Sequence, residues 1–88
     1  MKRLPVVGVM GSGSKRYADR ASRVGAWIAR SGYHLLTGGG PGVMGAVTEA
    51  FVSVSPRAGL AVGILPADVA SSRDRSPPGY PNRWIELV

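Results

Sequence analysis

The segment Leu35-Leu36-Thr37-Gly38-Gly39-Gly40-Pro41-Gly42-Val43-Met44-Gly45 constrains this chain most, because a short apolar run passes through clustered glycines straight into a helical pattern. Glycine lets the backbone reach positive φ and come close to another group with no Cβ in between. The first amides of the helix that follows have no partner inside it, and the helix dipole adds positive potential there. Strand, glycine turn and helix start in that order make an anion cradle. A tight turn needs one glycine or two. A run of three with a fourth two residues on costs backbone entropy that a bound phosphate would explain.

A chain of 88 residues is one small domain with limited surface to bury, so its core must be efficient or shared. With 44% apolar and 18% charged residues it has a folding composition despite 13 glycines and 7 prolines. The absence of cysteine excludes a disulfide framework and thiolate metal ligands, and one histidine cannot build a histidine cluster, so no metal site is expected. The basic start Met1-Lys2-Arg3 leads through Pro5 into a glycine turn rather than a cleavage site. No apolar stretch approaches the roughly 18 residues of a membrane span. The expectation is a cytoplasmic protein with no membrane partner. The net charge of +6 reads as solvated arginines rather than a polyanion site.

Leu4 to Met10 is nearly continuous apolar sequence, which fits a strand covered on both faces. Gly11-Ser12-Gly13-Ser14 ends it. Lys15 to Ser31 turns helical, with Tyr17, Ala21, Val24 and Ile28 as an inward stripe widened by Ala18, Gly25 and Ala29, and Gly32 caps its end. Tyr33 to Thr37 is a second strand. Val43 to about Val54 is a second helix facing inward through Val43, Val47, Ala50, Phe51 and Val54, closed by Pro56. Leu60 to Leu65 is a third strand, stopped by Pro66. Residues 66 to 82 form a long proline-rich loop, a lid or a connector. Trp84 to Val88 opens a fourth strand.

The fold class is therefore α/β, a Rossmann-like parallel sheet in the order β-α-β-α-β with the start of a fourth strand. Right-handed crossovers in one direction put both helices on one face of that sheet. The other face is left bare although its strands are apolar at consecutive positions. Residues 1–88 thus read as a single partial domain, the N-terminal half of a doubly wound fold. Either the chain is truncated at its C-terminus or it completes its core as a homo-oligomer; the missing last helix favours truncation.

Both glycine turns follow strands and so sit at the carboxyl edge, where open sheets bind ligands. Neither is a dinucleotide fingerprint: Gly11-Ser12-Gly13 continues to Arg16 where a third glycine should stand, and no acid ends the second strand. The frame from Gly8 to Gly13 copies a P-loop, but Ser14-Lys15 reverses its Lys-Ser/Thr order. Ser12, Ser14 and Thr37 are open to two readings, hydroxyl donors to a phosphate or local caps. His34 lies at the opposite end of its strand, so no Ser-His-Asp triad is available. Glu49 and Glu86 have no evident acid–base partner and read as solvated. Arg16, Arg20, Arg23 and Arg30 around Trp27 form a basic face, the one feature that would suit nucleic acid or a partner subunit.

Val6-Val7-Gly8-Val9-Met10-Gly11-Ser12-Gly13, Leu35 to Gly45 and Gly59 to Pro66 resemble successive N-terminal blocks of the LOG-like proteins. That superfamily includes the Lonely Guy cytokinin-activating phosphoribohydrolases, relatives labelled lysine decarboxylase-like, and molybdenum cofactor carrier proteins. Gly38 to Gly45 is the most specific match, and Pro78-Gly79-Tyr80-Pro81-Asn82 is similar to the carrier branch. The resemblance implies a phosphorylated small molecule as partner, an AMP-like nucleotide or molybdopterin. It implies phosphate contacts at Gly11, Ser12, Gly13, Ser14, Thr37, Gly38, Gly39, Gly40, Gly42, Val43, Met44 and Gly45. The hydrolases' catalytic glutamate, in Pro-Gly-Gly-x-Gly-Thr-x-x-Glu, and their catalytic arginine lie in segments this sequence does not contain. No residue here is assigned a catalytic role, Arg83 included. Hydrolysis of a nucleoside 5′-monophosphate is the alternative for a complete chain, and nucleic-acid binding through the Trp27 face the second alternative.

Overall fold

The computed structural model describes residues 3–65 and 80–88. The proline-rich stretch 66–79 lies outside the described residues, with most of the loop read there. The elements run β1 (Val6–Gly8), α1 (Ala18–Arg30), β2 (His34–Thr37), α2 (Val43–Val52) and β3 (Ala61–Gly63). All strand pairs are parallel, in the spatial order β1-β2-β3, with Val7 beside Leu35 and Leu35 beside Ala61. This is the expected Rossmann-like α/β order.

That row, Val7, Leu35 and Ala61, points at the two helices. Leu35 and Ala61 are fully buried there with Ile28 and Ala29 of α1 and Val47 and Phe51 of α2. Each large side chain in this cluster contributes roughly 1.5–3 kcal/mol of burial. Alternation along the strands sends Val6, Leu36, Val62 and Ile64 to the other face. Among the described residues no helix covers that face, and Val6 and Ile64 stay 58% and 68% exposed.

α1 begins at Ala18 rather than Lys15, because Tyr17 adopts a left-handed conformation (φ 47°) that no helix accommodates. Its buried stripe is Ala21, Gly25, Ile28 and Ala29, whereas Tyr17 and Val24 are exposed. The reason is close packing of the two helices. A Cβ at Gly25 would fall 2.3 Å from the Val47 carbonyl of α2, so the stripe is centred on the smallest residue. Gly32, at φ +80°, ends α1 as expected, its amide donating to the Ala29 carbonyl. α2 is covered nearly all round from Met44 to Thr48, and the buried Thr48 hydroxyl donates to the Met44 carbonyl at 2.6 Å. No helix among the described residues is long and apolar enough to cross a membrane.

The terminal segment lies along β3. Leu87 bridges Val62 in parallel, and its carbonyl accepts from the Gly63 amide at 2.8 Å. Glu86 is not simply solvated: both its oxygens pair with Arg57 at 2.8 Å, and Oε1 also accepts from the Ala61 amide at 2.9 Å. The guanidinium of Arg57 stands 5.2 Å from the centre of the Phe51 ring, tying this edge to the core.

Candidate functional site

Parallel strands deliver the two glycine turns to one edge of the sheet, and there the turns touch. The Val43 amide at the start of α2 donates to the Ser12 carbonyl at 2.9 Å. Gly42, at φ +70°, makes this possible, since a Cβ would lie 2.2 Å from the Ser12 carbonyl oxygen and 2.8 Å from the Ser14 nitrogen. Gly11 packs on the Val43 side chain, where a Cβ would lie 2.9 Å from a methyl carbon.

Several amides that the sequence assigns to a phosphate are taken within the chain. The Gly39 amide donates to the buried Thr37 hydroxyl at 2.9 Å, so Thr37 shapes the turn. The Ser14 and Lys15 amides donate to the Ser12 hydroxyl oxygen at 3.2 and 2.9 Å, and the Ser12 and Ser14 hydroxyls are 3.3 Å apart. Val43 is used as described. The amides of Met44 and Gly45, in the first turn of α2, meet no carbonyl among the described residues.

The glycine run also has internal causes. Gly39, at φ +78°, leaves room for Leu65, and Gly40 lies against the ring of Tyr80, where a Cβ would come within 2.3 Å. The entropy that the run costs is thus accounted for by the chain's own packing.

The sequence reading missed the strap from Tyr80 to Trp84. Asn82 anchors it: its amide donates to the Gly39 carbonyl at 2.6 Å and its side-chain nitrogen to the Gly40 carbonyl at 2.9 Å. The Asn82 side-chain oxygen accepts from the Trp84 amide at 3.0 Å. The Tyr80 hydroxyl reaches across to Gly13, and the Trp84 ring packs on α2 at Gly45. The available signal was Pro81-Asn82, turn chemistry in which a short amide side chain caps nearby backbone.

Arg16 is not on the α1 face. It stands in the loop before that helix, bonded to Glu49 of α2, with its guanidinium 5.5 Å from the centre of the Trp84 ring. Glu49 is therefore partnered rather than free. Arg83 flanks the same ring at 5.8 Å. Trp27 itself is 57% exposed, with its ring edge-on to Tyr33 at 5.8 Å. His34 sits away from the turns, its Nδ1 accepting from the Leu60 amide at 3.0 Å.

A family model described as LDcluster4, SLOG cluster4 family, matches residues 4–80. Among solved structures, the X-ray structure of TM1055, a structural-genomics target, is similar at 26% sequence identity and a TM-score of 0.57. The similarity covers 99% of this chain and 46% of that one, so the present chain spans less than half the length of its structural relative. No curated protein matches.

Proposed function

This chain belongs to the SLOG cluster4 family, within the LOG-like superfamily, and from that premise we propose that it binds the phosphate of a nucleotide or pterin cofactor at the carboxyl edge of its sheet. The observation that carries the reading is the docking of the first turn on the second, Ser12 carbonyl to Val43 amide. It sets the hydroxyls of Ser12 and Ser14 beside the first turn of α2. Hydroxyls and free helix-start amides are donors suited to phosphate oxygens. On this reading Ser12, Ser14, Met44 and Gly45 supply the donors. Gly11, Gly13, Thr37, Gly38, Gly39, Gly40, Gly42 and Val43 shape the turns that present them.

The proposal is binding without turnover. Acid–base chemistry requires a carboxylate or imidazole within reach of the guest. Among the described residues Glu49 is committed to Arg16, Glu86 to Arg57 and His34 to the Leu60 amide, and Asp19 sits in the first turn of α1. Cleavage of a nucleoside 5′-monophosphate, the alternative drawn from the resemblance, would belong to a longer chain.

Isothermal titration with AMP and with adenosine tests the reading. AMP is expected to bind and adenosine to bind far more weakly, with no free adenine appearing in the AMP mixture. Equal affinity for the two would refute a phosphate site. Release of adenine would turn the binding module into an enzyme.

A further inference from the structure

Resting on that phosphate site, we infer that Arg16 is the charge partner of a bound phosphomonoester dianion, and that Glu49 competes with the guest for it. Arg16 lies two residues beyond Ser14, on the turn that carries the serine hydroxyls. Its guanidinium packs near Trp84, whose ring lies 3.5 Å from the position a Gly45 Cβ would take. Glu49, which holds it, is four residues after Gly45 on α2, one helical turn or about 6 Å along the axis. Arg16 is therefore parked one turn from the Gly45 amide, which meets no carbonyl among the described residues, and on the same side of the helix.

The pair that parks it is easily exchanged. The two side chains are 45% and 47% exposed, and an ion pair that open to water has little net worth. A phosphate offers the planar guanidinium two parallel charge-assisted bonds instead. The local charge balance favours such a guest. Lys15 and Arg83 stand next to the same turn and ring, and Glu49 is the one carboxylate bonded to this cluster among the described residues.

The experiment titrates AMP and adenosine into the wild-type chain, Arg16→Gln and Glu49→Gln at one ionic strength, with circular dichroism to verify folding. Both substitutions delete the same ion pair, so a purely structural role moves AMP affinity in the same direction in both. Competition moves them apart: Arg16→Gln weakens AMP by about tenfold, the scale of one charge-assisted bond, and Glu49→Gln tightens it by about threefold, a fraction of that scale. Adenosine binding changes in neither. Weaker or unaltered AMP binding in Glu49→Gln overturns the inference, and that variant decides the matter alone if Arg16→Gln fails to fold. A wild type that does not prefer AMP to adenosine fails the phosphate site itself. A wild type that does, alongside variants that bind as it does, fails only the role of Arg16.

Discussion

The two glycine turns share composition and position, yet they are built differently. In the second, Gly39, Gly40 and Gly42 are buried, and an added Cβ at each would come within 2.2–2.4 Å of another atom of the chain. In the first, Gly13 is exposed, its backbone is not left-handed, and the nearest atom to an added Cβ is the Tyr80 hydroxyl at 3.8 Å. Glycine density in the second turn thus measures how closely the chain packs on itself. In the sparser, serine-bearing turn an added Cβ at Gly13 would meet no atom closer than ordinary contact distance.

The strongest attempt to break that contrast is Gly42→Ala. The new Cβ would meet backbone atoms of Ser12, Gly13 and Ser14, which cannot rotate aside as a side chain can, and φ +70° disfavours any L-residue. The expected loss is about 3 kcal/mol or more, through strain combined with separation of the turns. Urea unfolding reads it directly. A near-neutral result would mean that the turns are not locked together.

Next in size is Asn82→Ala, which removes the side-chain bond to Gly40 and the bond that orders Trp84 while leaving the backbone bond to Gly39. A loss of about 1–2 kcal/mol follows, since a part-buried carbonyl is left without its donor. Tyr80 should then loosen from Gly40. Faster hydrogen exchange at the Asn82 and Trp84 amides would report the freed strap, and unchanged exchange would show that the glycine turn does not depend on it.

The terminal segment that follows the strap is held by Glu86, and here pH is the probe. The hydrogen bonds from Arg57 have the largest influence and hold the Glu86 carboxyl below its usual range; burial opposes them next, and the Ala61 amide and the charge of Arg57 add to the lowering. A carboxyl whose folded pKa is lowered adds stability that is fully present above its unfolded pKa. That stability is lost as the pH falls through the folded value. Glu86→Gln should remove about 1 kcal/mol at neutral pH, the worth of a partly exposed pair, and flatten this part of the acid limb. An acid limb identical in the two proteins would show that the pair carries no linkage.

Much of the architecture was legible because it rests on local pattern. Valine-rich runs, the small-residue helix, Gly32 as a cap and one-handed crossovers led to the observed sheet, with both helices on one side. What escaped depends on partners distant in sequence. Arg16 finds Glu49 and Arg57 finds Glu86 only after folding, 33 and 29 residues apart. The start of α1 was placed early because helical spacing continues through Tyr17 although its backbone does not. At the candidate site the glycine run reads from sequence as room for a bound phosphate, but an added Cβ would meet the chain itself. For Gly39, Gly40 and Gly42 the atoms met belong to Leu65, Tyr80 and Ser12, a distinction no spacing rule encodes.

The smallest expected change in stability, and the finest test of the contrast, is Gly13→Ala. Its methyl would enter the space between the first turn and Tyr80 at ordinary contact distance, so unfolding should shift by less than about 0.5 kcal/mol. If that space admits the guest, AMP affinity falls while the unfolding midpoint holds. A stability loss on the scale of Gly42→Ala would make the first turn as structural as the second, and Ser12 and Ser14 would lose their special claim on a phosphate. Unaltered stability with unaltered AMP binding would place the guest elsewhere along the carboxyl edge, on the α2 side of Ser14.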